Sequence, residues 1–177
     1  KVIGMNPPYQ LEFNARIART EVMASTRSDG MIAKLSRMAK SDKNKEYLDQ
    51  VYFAIGNIYL IKRDTINAIS AYEKGNEKAT RSGVERGALL IKLGDIYWSR
   101  EQYADARRCY NLALGMTEKD NKAYERLTDR SKVLDELVPH TDAIHLQDSL
   151  QSLSRMDEKQ RDMAIDKVIA ALKKKEA

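Results

Sequence analysis

Cysteine, proline, glycine and histidine are all scarce in this chain: one, three, eight and two in 177 residues. A single cysteine, Cys109, leaves no intramolecular disulfide to staple a small fold and fits reducing and oxidising compartments equally. It stands beside an aromatic, with no base placed near it, so a packed thiol is expected rather than a nucleophile. So few prolines and glycines, set against abundant Ala, Leu, Lys, Glu and Arg, favour a mostly helical protein. No apolar run approaches membrane-spanning length. No glycine-rich phosphate loop, nucleophile elbow or cysteine pair is present. His140 and His145 lie five apart, about 140° around a helix. Zinc sites favour tighter sets or histidines at i and i+4, so no metal is expected from them with Asp142 and Asp148, and no cofactor elsewhere.

Charge excludes another class. Of 31 basic and 26 acidic residues, residues 1–44 hold 8 and 4, 45–118 hold 11 and 10, and 119–177 hold 12 and 12. The excess is thin and N-terminal, without the basic stripe of a nucleic-acid binder. The run Lys173-Lys174-Lys175 reads as a solvated helix end. Neither nucleic acid nor a small-molecule substrate is expected as a partner.

What is present is one phrase stated twice, 38 residues apart. The first copy is Tyr52-x-x-Ile55-Gly56-x-x-Tyr59, then Ala68 and Tyr72; the second is Leu90-x-x-Leu93-Gly94-x-x-Tyr97, then Ala106, Tyr110 and Ala113. The spacing predicts a helix whose glycine admits a close crossing, with the tyrosine three residues on filling the space beside it. Ala68 and Ala106 are expected to be the close-contact points of the second helix, and Tyr72 and Tyr110 its large knobs. Bulky-x-x-Leu-Gly-x-x-Tyr with this sequel resembles the tetratricopeptide repeat. The resemblance implies an all-α superhelix, a solenoid of antiparallel helix pairs with capping helices. Against that family, the glycine of the intra-repeat turn is Arg63 in one copy and Glu101 in the other, which is expected to alter the turn. The closing proline is Thr80, then Glu118. A period of 38 rather than the usual 34 predicts about one extra turn on the second helix of copy one.

The chain is expected to form one domain over 1–177. Residues 1–44 form a degenerate repeat, 45–81 and 82–118 two clear ones, and 119–177 capping helices. Pro7-Pro8 introduces a helix to about Thr26, with Phe13, Ile17, Thr20 and Met23 in its stripe. Ser28-Asp29-Gly30 signals a turn, and Ile32, Leu35, Met38 and Ala39 a short second helix. Helices are expected at 45–62, 65–81, 83–100 and 102–116, with Ser82-x-x-Glu85 as a capping box. A further helix over 120–137 carries Tyr124, Leu127, Val133, Leu134 and Leu137, and Val138-Pro139 is expected to end it. Ile144, Leu146, Leu150 and Leu153 organise the next. Ala164, Ile165, Val168, Ile169 and Leu172 organise the last, with Asp157 and Gln160 to cap it. No strand pattern competes.

In such repeats one face of the first helices lines a concave groove. Here it would present Gln50, Phe53, Asn57, Leu60 and Ile61 from copy one, and Ala88, Ile91, Asp95, Trp98 and Ser99 from copy two. This aromatic and aliphatic groove would anchor a partner helix or extended peptide, unless the chain fills it itself. Chaperone-tail binders of the family grip a C-terminal carboxylate with lysines and asparagines. Asn57 fits that clamp, but Phe53 stands where a lysine is needed and Lys92 where an asparagine is, which argues against a co-chaperone.

Three further phrases are more specific: Asn6-Pro-Pro-Tyr-Gln-Leu-Glu-Phe-Asn-Ala-Arg-Ile17, Asp42-Lys-Asn-Lys-Glu-Tyr47 running into Gly56-Asn-Ile-Tyr59, and His145-Leu-Gln-Asp-Ser-Leu150. They resemble the Bacteroidota tetratricopeptide lipoproteins associated with gliding motility and type IX secretion. That resemblance implies a non-enzymatic scaffold on the periplasmic side of the outer membrane, with its lipidated cysteine upstream of Lys1, and brings no catalytic residue. The chain lacks an initiator Met and reads as a piece of a longer protein. The competing expectation is a general binding module in the cytoplasm, a co-chaperone or enzyme regulator.

Overall fold

The computed structural model describes residues 9–80 and 82–176, with the side chains of 10, 20, 21, 24–27 and 174–176 left out of account. The lead-in residues 6–8, Thr20, Lys174 and Lys175, singled out in the sequence, fall outside what is described. Helices follow in the order α1 (Tyr9–Ala39), a 3-10 helix (Asp42–Tyr47), α2 (Leu48–Ile61), α3 (Thr65–Lys78), α4 (Val84–Ser99), α5 (Tyr103–Leu114), α6 (Lys122–Arg155) and α7 (Glu158–Glu176). Among the described residues there is no strand, and the fold is all-α. The chain forms two compact units, Lys1–Asp135 and Glu136–Ala177, where one domain was expected.

In the first unit α2 packs on α3 and α4 on α5, α1 packs on α2, and both α2 and α3 touch α4. Buried Val51, Ala54, Ile55 and Ile58 meet Phe13, Leu35 and Ala71 in one cluster. Leu89, Leu90, Leu93, Cys109, Tyr110 and Ala113 are buried in α4 and α5, and Leu127 and Leu134 in the start of α6. Ala68 and Ala106 are fully buried as expected. The glycines do something other than admit an alanine: a Cβ at Gly56 would lie 2.6 Å from Tyr72 Cδ1, and one at Gly94 2.7 Å from Tyr110 Cε1. Each glycine is the socket for the tyrosine knob of its own partner helix. A third such approach, Gly75 against the Leu89 side chain, fits α3 to α4 and has no place in the repeated phrase.

The helical span Tyr9–Ala39 is not one straight rod. Tyr9 donates from its hydroxyl to Asn44 Oδ1, and Asn44 Nδ2 donates to the Met38 carbonyl at 2.7 Å. In a straight helix Tyr9 and Met38 would stand about 44 Å apart. Ile17 and Met31 also pack on the same core cluster, so the chain reverses between them. The expected Ser28-Asp29-Gly30 turn falls in that interval, although helical assignment runs through it and Gly30 keeps a negative φ. The local reversal is made without a left-handed glycine.

Both intra-repeat turns keep the geometry that a glycine would have provided. Arg63 and Glu101 sit at φ 59° and 60°, the positive-φ non-glycine residues of the described chain. Arg63 N–H donates to Leu60 O and Asp64 N–H to Tyr59 O, both at 2.9 Å; Glu101 N–H donates to Trp98 O at 3.1 Å and Gln102 N–H to Tyr97 O at 3.0 Å. This paired pattern is the Schellman helix end, and it satisfies the last carbonyls of α2 and α4. The expectation of an altered turn is therefore wrong: the hydrogen bonds hold the geometry and the side chains bear the strain. A left-handed non-glycine residue costs roughly 1–2 kcal/mol, partly offset by its lower entropy when unfolded. Arg63→Gly and Glu101→Gly are each expected to stabilise by about 0.5–1 kcal/mol, read as a higher denaturant midpoint at unchanged slope.

Other local expectations are corrected too. α3 has 14 residues, no more than α2. It stops at Ala79, which is extended at φ −63°, ψ 121°, so the additional residues of the period lie in the connection 79–83. The Ser82–Glu85 capping box does not form: α4 begins after Gly83, with no side-chain cap bond. The first intrahelical bond runs from Gly87 N–H to the carbonyl of extended Gly83 at 2.9 Å, so the helix starts one residue later than Ser82 as its cap would require. Residues 45–47 are 3-10 rather than α-helix. Asp64, not singled out from the sequence, caps α3 through Asn67 N–H at 3.1 Å, and the Asn67 side chain first, then that backbone bond, hold its carboxyl below the usual range.

Pro139 lies inside α6 rather than ending it. Its ring removes one donor and disfavours helix at Val138, yet Val138 is fully buried and turns of helix continue on both sides. Local preference loses here to burial. Val133, expected in the core stripe, is exposed. In the second unit Asp157 caps α7 by accepting from Gln160 N–H at 2.8 Å, as expected from the sequence. Of its described residues only Val138 is buried.

Candidate functional site

α1, α2 and α4 bring Asn14, Ile17, Ala18, Gln50, Phe53, Val84, Glu85 and Ala88 around a groove of about 380 Å³. Three of the residues chosen from sequence, Gln50, Phe53 and Ala88, line it. Leu60, Ile91, Asp95 and Trp98 are half-buried, and Ile61 and Ser99 are exposed.

Polar chemistry on this face repeats at the same 38-residue interval as the packing. The Tyr72 hydroxyl donates to Asn57 Oδ1 at 2.8 Å, and the Tyr110 hydroxyl to Asp95 Oδ1 at 2.7 Å. Lys92 Nζ donates to Asn57 at 3.1 Å; Arg130, 38 residues after Lys92, donates to Asp95 and to the Tyr110 hydroxyl, both at 2.7 Å. The first turns of α6 thus continue the helix series of α2 and α4. Arg126 adds bonds to both Asp95 oxygens at 2.9 and 3.3 Å. Burial, and next the bond to Asp95, push the Tyr110 hydroxyl well above its usual pKa, so it remains a donor.

The aromatics are engaged by these cations. Lys92 Nζ stands 5.5 Å over the Phe53 ring, and the Arg130 guanidinium 4.9 Å over Trp98. Tyr103 meets Trp98 edge-on at 6.0 Å. Trp98 is therefore sandwiched by its own chain, whereas the Phe53 end opens into the groove. Arg126 and Arg130 were missed in the sequence. The signal was there: they follow Ala88 and Lys92 by one repeat interval, but α6 lacks the glycine-tyrosine phrase that marks a repeat. Their side chains give two cations to the one carboxylate of Asp95, while Lys92 serves the neutral Asn57 one repeat earlier.

A second network ties α3, α4 and α5 together: Glu73 accepts from Tyr97 Oη at 2.7 Å and from Arg108. Cys109 lies beside it, fully buried, and burial pushes its thiol up to about 12. At neutral pH it is protonated and inert. Among the described residues no group of three or more His, Cys, Asp or Glu is placed to hold a metal ion, and no helix is long and apolar enough to cross a membrane.

Antiparallel helix pairs stacked at a fixed interval, with a polar face carried by successive first helices, define a helical-repeat protein. More particularly, residues 49–77 and 88–120 match the tetratricopeptide repeat. No curated protein matches the chain. Repeats of this family commonly mediate protein–protein interaction.

Proposed function

We propose that the protein is a non-catalytic scaffold whose α2–α4–α6 face takes an acidic segment of a partner protein. The observation that carries this reading is the excess of cations there: Arg126 and Arg130 share the single carboxylate of Asp95, and Lys92, over the ring of Phe53, has only the neutral Asn57 as its bonded partner among the described residues. A partner carboxylate can replace Asp95 on Arg126 and Arg130 without leaving a buried charge, because the Asp95 side chain is itself 37% exposed. Gln50, Leu60 and Ile91 would flank the bound segment, and Trp98 would become available where Arg130 turns to the ligand.

The phrases at Asn6–Ile17, Asp42–Tyr59 and His145–Leu150 support placing this scaffold in the cell envelope, on the periplasmic side of the outer membrane, in a gliding or type IX secretion setting. The membrane would be reached only through an anchor outside these 177 residues. The rival setting is a cytoplasmic binding module. Incorporation of labelled fatty acid into the full-length protein in its own cells decides between the two, since a cytoplasmic module takes up none.

Binding is tested by capturing partners from source-cell envelopes with wild type and with Lys92→Glu/Arg126→Glu. Both positions are exposed, so helicity should be unchanged while retention of the captured partner falls at least about tenfold and the wild-type interaction weakens with salt. Retention by the folded double variant at wild-type strength would sink the proposal.

A further inference from the structure

We propose that the helical hairpin of the second unit, α6 from Glu136 onward with α7, is a self-association element that pairs with a second copy of this chain. The physical reason begins with what the hairpin lacks. α7 has 19 residues, and helices of this length hold in water mainly by packing an amphipathic face. Yet within 136–177 only Val138 is buried among the described residues. Ile144, Leu146, Leu150, Met163, Ile165, Val168, Ile169 and Leu172 are all exposed, each by 43% or more. A unit this small with almost no core needs a cover.

The two helices do not supply it to each other. They meet near the tip, where Arg161 donates to the carbonyls of Leu153 and Met156. Beyond that they flank an open groove of about 590 Å³. On the α7 side it is apolar, with Ile165, Val168 and Ile169; on the α6 side it is polar at His145, Asp148, Ser149 and Ser152 and apolar only near the tip, at Leu153. Leu146 and Leu150 do not line it, and Ile165, Val168 and Ile169 stay 43% or more exposed beside it, so the hairpin leaves most of both stripes uncovered. Each is the kind of stripe that closes a four-helix bundle when two hairpins meet.

A second copy is the occupant whose charge matches. From 136 to 155, α6 carries Glu136, Asp142 and Asp148 against Arg155; from 158 to 176, α7 carries four acidic and six basic residues. One helix is net acidic and the other net basic by the same amount. An isologous, two-fold pairing that lays α6 of each copy on α7 of the other therefore matches charge twice while covering both stripes.

The test is sedimentation of the 177-residue chain over the micromolar range. Wild type is expected to show a reversible monomer–dimer equilibrium. Leu150→Asp/Ile169→Asp, at two exposed positions, should raise the dissociation constant on the order of 100-fold or more while circular dichroism keeps the cooperative unfolding of the first unit. Two charge-reversed variants, Asp142→Lys/Asp148→Lys and Lys167→Glu/Lys173→Glu, should each dimerise poorly and form a heterodimer when mixed. A monomeric wild type, or a dimer untouched by Leu150→Asp/Ile169→Asp, overturns the proposal. Absence of any preference for the heterodimer overturns the α6-on-α7 pairing.

Discussion

Tyr72→Ala is expected to cost about 3–5 kcal/mol in a denaturant titration, the range for deleting a buried aromatic ring. The ring is fully buried and lies on Gly56. It stands 5.8 Å from Phe53, and its hydroxyl is bonded to Asn57. Backbone glycine forms the socket wall and offers no side chain to fill the cavity from that side, so the cost should fall toward the upper end. Tyr72→Phe keeps the ring and loses the bond to Asn57, so it should cost only about 1 kcal/mol. Because each repeat is stabilised by its neighbours, Tyr72→Ala should also loosen α4 and α5, read as faster amide exchange there. A cost below that of Tyr72→Phe would show that the ring is not a core knob.

Gly56→Val gives the second large effect, by the opposite route. A Cβ at that position would come within 2.6 Å of Tyr72 Cδ1, closer than real Cβ atoms approach anything, and a branched side chain adds two further methyl groups. Overpacking typically costs about 1–3 kcal/mol, occasionally more, and a loss of at least about 3 kcal/mol is expected here. Gly56→Ala gains up to about 1 kcal/mol of helix propensity, which leaves a smaller net loss. Gly30 is the control: it is helical, keeps a negative φ and has nothing within 4 Å of a built Cβ. Gly30→Ala should therefore stabilise by up to about 1 kcal/mol. Opposite signs for one substitution at two helical glycines would separate packing from propensity, and equal signs would refute the socket.

The packing of the repeats was legible because it is written in residue size at helical spacing. Ala68, Tyr72, Ala106 and Tyr110 are buried where the phrase put them. The turns were legible only in part. Arg63 and Glu101 looked like departures from a glycine position, but four backbone hydrogen bonds outweigh two strained residues. Pro139 misled in the same manner, since a local preference at Val138 is smaller than the burial of its side chain.

The proposed binding face was legible to a lesser degree. Phe53, Asn57, Asp95 and Trp98 follow from their positions on the first helices, but what each of them touches does not. That Lys92 lies over Phe53 depends on how α4 meets α2, and that Arg130 covers Trp98 while bonding Asp95 depends on how α6 meets α4.

By itself the sequence determined an all-α chain of stacked helix pairs, because helical periodicity and the alternation of small and large residues are properties of neighbours along the chain. Only the tertiary structure decided which charges meet, that α1 folds back between Ile17 and Met31, and that the α6–α7 hairpin leaves its aliphatic stripes open. Each of those depends on residues far apart in sequence coming within a few ångströms. Such meetings are set by the sum of many weak packing terms rather than by any local pattern.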